Sequence, residues 1–300
     1  MLGATVYLGG GVENVGRLSA VAFFLFAVHD PGETMRYMSP LLAASISLVF
    51  CTVTFAESPS TGALILSEDF EGTAVGQIPA GFTKNGAVAV VDDVAHSGKH
   101  SLRIEPAERG PRRITKQGPE IAALGGEHWG RLYFKVKLPT PAPVVPEGKK
   151  FAVIHSTLVG GKATSPQFND PIEVRVLDTV LGSNGTFQWI YNVQPQKRPE
   201  FATGSKYRFR YSDEWTLAEW YVDHATQTYQ LFINGEEVTD CALRKGAGNF
   251  DKAEIPAAFD SMSFGWNNYQ AAGEGFTMWI DDIALGKKRI GAMASGLPKK

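Results

Sequence analysis

The chain reads as all-β, a two-sheet antiparallel β-sandwich of the jelly-roll kind, and three observations predict it. From about residue 60 onward, apolar and polar residues alternate with a period of two in short runs. Turn-forming groups separate the runs, among them His96-Ser97-Gly98-Lys99, Gly182-Ser183-Asn184-Gly185 and Asn234-Gly235. No segment carries an apolar stripe at helical spacing over a useful length. About a dozen short strands in one unit, with no second domain in sight, call for two packed sheets.

Taken in order, the strands are expected at 63–70, 87–93, 101–106, 131–139, 151–159, 172–180 and 186–194, then at 206–212, 216–224, 228–238, 259–266 and 276–285. The Pro-rich stretch 139–148 reads as a long loop joining two strands, of the sort that walls a groove. Ahead of the first strand, residues 41–56 form an apolar run preceded by Arg36 and closed by Ala56. A basic start, a short apolar stretch and a small residue before a polar break make a secretory signal over 35–56, cut after Ala56. It is shorter than the ~20 residues a membrane span needs. Residues 1–34 fit poorly in front of such a signal, so Met35 is expected to be the true start. The exported part is 57–300, secreted or periplasmic, one jelly-roll domain, free of the membrane and monomeric.

Composition narrows the function. A formal net charge of −2 offers no basic footprint for nucleic acid. Two cysteines exclude a disulfide scaffold and a Cys-rich metal site, and Cys241 alone survives in the exported part. No Gly-rich phosphate loop, HExxH or GxSxG occurs in it. What stands out is an acidic cluster at each end: Glu68, Asp69 and Glu71 near the start, Asp281 and Asp282 near the finish. If the first and last strands pair, these clusters meet, and an oxygen-seeking cation such as Ca2+ relieves their repulsion. Strand alternation sends Asp281 and Asp282 to opposite faces, so one side chain of the two is expected to bind, Asp282 being preferred.

Two strands suggest a polar sheet face. In 172–180, Glu173 and Arg175 share one face while Val174 and Val176 share the other. In 186–194, Phe187, Trp189 and Tyr191 alternate with Gln188, Ile190 and Asn192, and either set can line a groove. Aromatic rings stack on sugars, and amides or guanidinium groups bind hydroxyls and carboxylates.

The order EDFEG (68–72), IPAGF (78–82), AHSGKHSLRI (95–104), FDSMSFGW (259–266) and MWIDDIALGKKRIG (278–291) resembles the concanavalin-A-like jelly rolls. More narrowly it resembles the secreted fungal cellulose-induced protein and its bacterial relatives, close in fold to glucuronan and alginate lyases. The resemblance implies one calcium held by Glu71, by the backbone of Ser97 and His100, and by Asp281 or Asp282. It also implies a catalytic His on a central strand, here His155, and a late tyrosine that handles protons, here Tyr269, followed by Gln270. The implied chemistry is β-elimination on a uronate-containing polysaccharide, with Arg175 or Arg131 on the substrate carboxylate. Substrate contacts are then expected from Arg131, Glu173, Gln188, Trp189, Tyr191 and Gln270. Two features depart from the family: its arginine motif is absent, and Val153 stands where a Gln precedes the histidine. Glu219 and Asp223 share a strand face, but the Glu-x-Asp-x-Glu pattern of jelly-roll glucanases is missing. A non-catalytic carbohydrate-binding module and a structural β-sandwich are the competing readings.

Overall fold

A computed structural model describes residues 64–150, 152–182, 184–244 and 254–293. The expected signal segment, 35–56, and residues 1–34 lie outside the described residues. Along the chain the strands are β1 (Leu64–Glu68), β2 (Phe82–Asn85), β3 (Val88–Val91), β4 (Ser101–Ile104), β5 (Gly110–Gln117), β6 (Glu127–Val136), β7 (Ile154–Thr164) and β8 (Pro171–Leu181). There follow β9 (Phe187–Pro195), β10 (Phe201–Gly204), β11 (Thr216–Asp223), β12 (Thr228–Ile233), β13 (Glu236–Glu237), β14 (Phe259–Asn268) and β15 (Met278–Gly286). One short helix, α1 (Pro119–Leu124), follows β5.

The strands form two antiparallel sheets. The first runs β13-β12-β11-β6-β15-β4-β3, and the second runs β10-β9-β8-β7-β14-β5-β2. Alternation explains how they stack. Leu132, Phe134 and Val136 of β6, Ile280 of β15 and Trp220 of β11 point inward from the first sheet, meeting Val174 of β8 and Met262, Phe264 and Trp266 of β14 from the second. The result is the two-sheet sandwich that the period-two pattern predicts.

The first and last strands of the described residues meet. One side of β15 is held by β6 along its length; on the other, β4 pairs with its first half and β1 with its second. Ser67 faces Ala284 and Glu68 faces Ile283 in that ladder.

Several elements differ from expectation. β5 carries Arg112 and Lys116 at inward positions, which hides the alternation. Arg112 is buried because its guanidinium donates to the Glu105 and Ala107 carbonyls and to Asn268 Oδ1. Residues 206–212, read as a strand, contribute only an isolated bridge between Phe209 and Phe187. The aromatic alternation there serves packing instead: Phe209 stacks on Trp189 with centroids 4.4 Å apart. Among the described residues no helix is long and apolar enough to cross a membrane.

Candidate functional site

Residues paired across a ladder share a face, so register sorts the second sheet into an inner and an outer surface. On β8, Glu173 and Arg175 face outward, opposite Gln194 and Asn192 of β9. Strict alternation would then turn Asp178 inward. Instead the ladder slips between Arg175 and Asp178, Val176 and Leu177 both enter the core, and Asp178 returns to the outer face opposite Thr157 of β7. A matching irregularity in β7 sends Leu158 and Val159 both inward and leaves His155 and Thr157 outward.

These side chains converge with Tyr269, which follows β14. The Tyr269 hydroxyl donates to Glu173 Oε1 at 2.8 Å and lies 3.3 Å from Thr157 Oγ1. The Arg175 guanidinium carbon sits 3.5 Å from the centre of the Tyr269 ring, a cation–π contact. Asp178, fully buried, accepts from Thr157 Oγ1 at 3.3 Å and from the Thr179 N–H at 3.0 Å. Its other oxygen lies 3.8 Å from Arg175 Nη1 and 3.9 Å from His155 Nδ1. Arg113 of β5 approaches Glu173 at 3.6 Å. Loss of water and then the Glu173 charge push the Tyr269 phenol up to about 12. Beside this cluster, and sharing Arg113 and Glu173 with it, is a cavity of about 300 Å³ lined also by Thr115, Lys162, Ser261 and Ser263.

The structure thus brings together His155, Arg175, Tyr269 and Glu173. Gln270 is close but plays another part: its Oε1 accepts the His155 N–H at 2.7 Å, pinning backbone rather than lining the face. The Pro-rich loop passes the same end, where the Val144 N–H reaches the Ala271 carbonyl at 3.5 Å. Gln188 shares the outer face, two strands from His155 through Val180. Three expectations need correction. Trp189 and Tyr191 point into the core, since of the two sets on β9 the aromatic one packs inward with Phe187 and Val193. Arg131 lies on β6 in the first sheet, where it donates to the Gly291 carbonyl at 3.1 Å, far from a role beside His155. Sequence reasoning missed Asp178, Thr157 and Arg113. The signal for Asp178 was present: Val176-Leu177 breaks the alternation, as a bulge does.

Glu71, Asp281 and Asp282 form a second cluster about the turn at 96–100. Glu71 Oε1 accepts the N–H groups of Lys99 and His100, both at 2.7 Å. Asp281 Oδ2 accepts those of His96 and Ser97 at 2.8 and 3.2 Å. Asp282 binds the side chains of the same two residues, His96 Nδ1 at 2.6 Å and Ser97 Oγ at 2.8 Å. The two aspartates do not diverge as alternation predicts, because β15 bulges between Asp281 and Ala284 and Asp282 takes a φ of 50°. Burial and the neighbouring Asp282 charge push the Asp281 carboxyl up to about 7. Two carboxylates at one turn offer the oxygen ligands that a hard cation takes. Among the described residues, however, no three His, Cys, Asp or Glu side chains gather as a metal site.

No family model matches the chain, and no curated protein does. Solved structures do. The chain is similar to cellulose-induced protein Cip1. The two share 16% identity with a TM-score of 0.48, over 76% of this chain and 100% of that one. The botulinum neurotoxin serotype G binding domain is 12% identical (TM-score 0.46), and the mosaic C/D receptor-binding domain crystallised with tetraethylene glycol is 14% identical (TM-score 0.48). Each toxin match covers 76% of this chain, which spans about half of the toxin chains, 49% and 48% respectively.

Proposed function

We propose that this is a carbohydrate-active jelly roll whose second sheet presents a groove to a uronate-containing polysaccharide and cleaves it by β-elimination. The observation that carries the reading is the convergence of His155, Arg175, Tyr269 and Glu173 on one polar face, beside a cavity rimmed with hydroxyls and cations. In such a reaction the C5 proton leaves, its electrons form the C4–C5 double bond, the C4–O bond breaks, and the departing oxygen takes a proton. Arg175 and Arg113 supply positive charge against the uronate carboxylate, which stabilises the enolate-like state. Tyr269 is the proton-handling group. With a phenol at about 12 it is a poor base by itself, and its bond to Glu173 gives its proton a place to go. His155 accepts the C5 proton or a hydrogen bond from a substrate hydroxyl.

The test is absorbance near 235 nm during incubation with polyuronates, since elimination leaves a conjugated double bond. Tyr269→Phe is expected to lower turnover by roughly 10²–10⁴-fold. Full turnover in Tyr269→Phe and in His155→Ala would remove this assignment. A second reading, a non-catalytic binding module, is favoured by the charge balance: Glu173 and Asp178 already answer the two arginines. Polyuronate binding without a 235 nm product decides for it.

Two companions of the reading are export and calcium. The 35–56 signal is proposed to direct secretion, checked by N-terminal sequencing of the product. Calcium is proposed at the 96–100 turn, held by Glu71, Asp281 or Asp282 and the carbonyls of Ser97 and His100, where it would neutralise the paired acids. Chelation is expected to lower the melting temperature, and an unchanged melt removes the ion.

A further inference from the structure

We infer that Asp178 is the positioning residue of His155: it takes the ring's Nδ1–H and so presents a bare Nε2 to the groove. The inference rests on the reading of the groove as the working site, but its first test does not require turnover.

Three observations carry it. Asp178 is fully buried, yet one oxygen, Oδ2, has no hydrogen-bond partner. His155 Nδ1 is likewise buried and unpartnered, and it lies 3.9 Å from that same oxygen. The remaining polar contacts of His155 go to its backbone: Gln270 Oε1 takes its N–H at 2.7 Å, and its carbonyl takes the Tyr269 N–H at 3.1 Å. The strand is therefore fixed from the β14 side, and Asp178 is the polar group facing the ring from β8. A buried carboxylate oxygen without a donor is costly, and a short rotation of the imidazole supplies one. Catalytic hydrogen bonds are often long before the ligand arrives and tighten with it. Arg175 Nη1, 3.8 Å away on the other flank, balances the charge but stands beyond hydrogen-bond reach, so the carboxylate oxygen is not satisfied from that side. A bulge of β8 that turns two apolar residues inward for the sake of one buried acid makes sense if that acid has a task on the outer face.

The choice of tautomer follows from this geometry. An imidazole has one donor and one acceptor nitrogen when neutral, and the partner of one sets the role of the other. Asp178→Asn reverses it. The Oδ1 position is fixed by the donors Thr179 N–H and Thr157 Oγ1, so the amide nitrogen must occupy the Oδ2 position. There it donates to Nδ1 and drives the proton to Nε2.

The experiment is ¹⁵N NMR of the ring nitrogens of His155, assigned with His155→Gln, at a pH where the ring is neutral. The wild-type protein is expected to show Nδ1–H, and Asp178→Asn to show Nε2–H. With a polyuronate that is cleaved, Asp178→Asn is expected to lose kcat by roughly 10²–10⁴-fold with KM little changed. A wild-type ring protonated at Nε2 overturns the inference, as does a folded Asp178→Asn with an unchanged tautomer and kcat. If Asp178→Asn does not fold, the wild-type tautomer decides alone. Should no polyuronate be cleaved, the lyase reading falls while the tautomer still tests the pairing.

Discussion

Single atoms decide much of the packing. Gly130 of β6 faces Trp220, and a Cβ built there would stand 2.0 Å from the indole Cζ2. Gly130→Ala must displace a core indole, so a loss of about 1–3 kcal/mol is expected in urea unfolding; an alanine variant as stable as the parent would mean the ring moves freely. His128, two residues earlier on the same inward face, is buried against Phe259 and accepts from Trp220 Nε1 at 3.4 Å. Burial, helped by the Lys287 charge, pushes its pKa down to about 3 from 6.5. The folded pKa is therefore the lower one. Above pH 6.5 the group is neutral in both states and costs nothing. As pH falls from 6.5 toward 3, the unfolded chain takes a proton that the folded chain refuses, and stability drops by about 1.4 kcal/mol per unit on this group's account. His128→Gln keeps an acceptor for Trp220 and cannot titrate. Its acid limb between pH 4.5 and 6.5 is expected to be shallower by one proton; matching slopes would show that His128 is free to ionise in place.

At the scale of elements, bulges rather than strands make the sites. The alternation in the sequence predicts where most strands lie and that Glu173 and Arg175 share a face. It cannot count across a bulge, where two consecutive residues turn the same way, so the joint aim of Asp281 and Asp282 was not legible, and the doubled apolar pair Val176-Leu177 was the one local sign of Asp178. Trp189 and Tyr191 show the converse limit: alternation offers two faces, and without the partner sheet nothing in the local pattern says which is the core. The β15 bulge makes its own prediction. Asp282 sits at a φ of 50°, a region that Asn and Asp tolerate and β-branched residues do not. In chelator, Asp282→Val is expected to destabilise the chain by at least about 1 kcal/mol more than Asp282→Asn, read from melting curves. Equal costs, or the reverse order, would show that the φ of 50° does not govern this position.

At the scale of the molecule, the fold was legible because one physical demand runs through it: a sheet with one apolar face must find another. What closes the body is the return of the last strand to the first. β1 covers the half of β15 that β4 leaves open, and it brings Leu66 with the neighbouring Phe70 into the core. Without it, the β15 backbone at residues 283–286 becomes a bare edge and the sandwich opens at that side. Burying two such side chains is worth about 1.5–3 kcal/mol each, against a total stability of about 5–15 kcal/mol for an ordinary domain. A chain beginning at Thr73 also loses Glu71, and with it the acceptor for the Lys99 and His100 N–H groups. Compared with 57–300, it is expected to melt at least about 10 °C lower, to bind a hydrophobic dye, and to ignore chelator. If it melts within a few degrees of the longer chain and still responds to chelator, neither β1 nor Glu71 is what holds the two ends together, and both the closure and the calcium site must be sought elsewhere on β15.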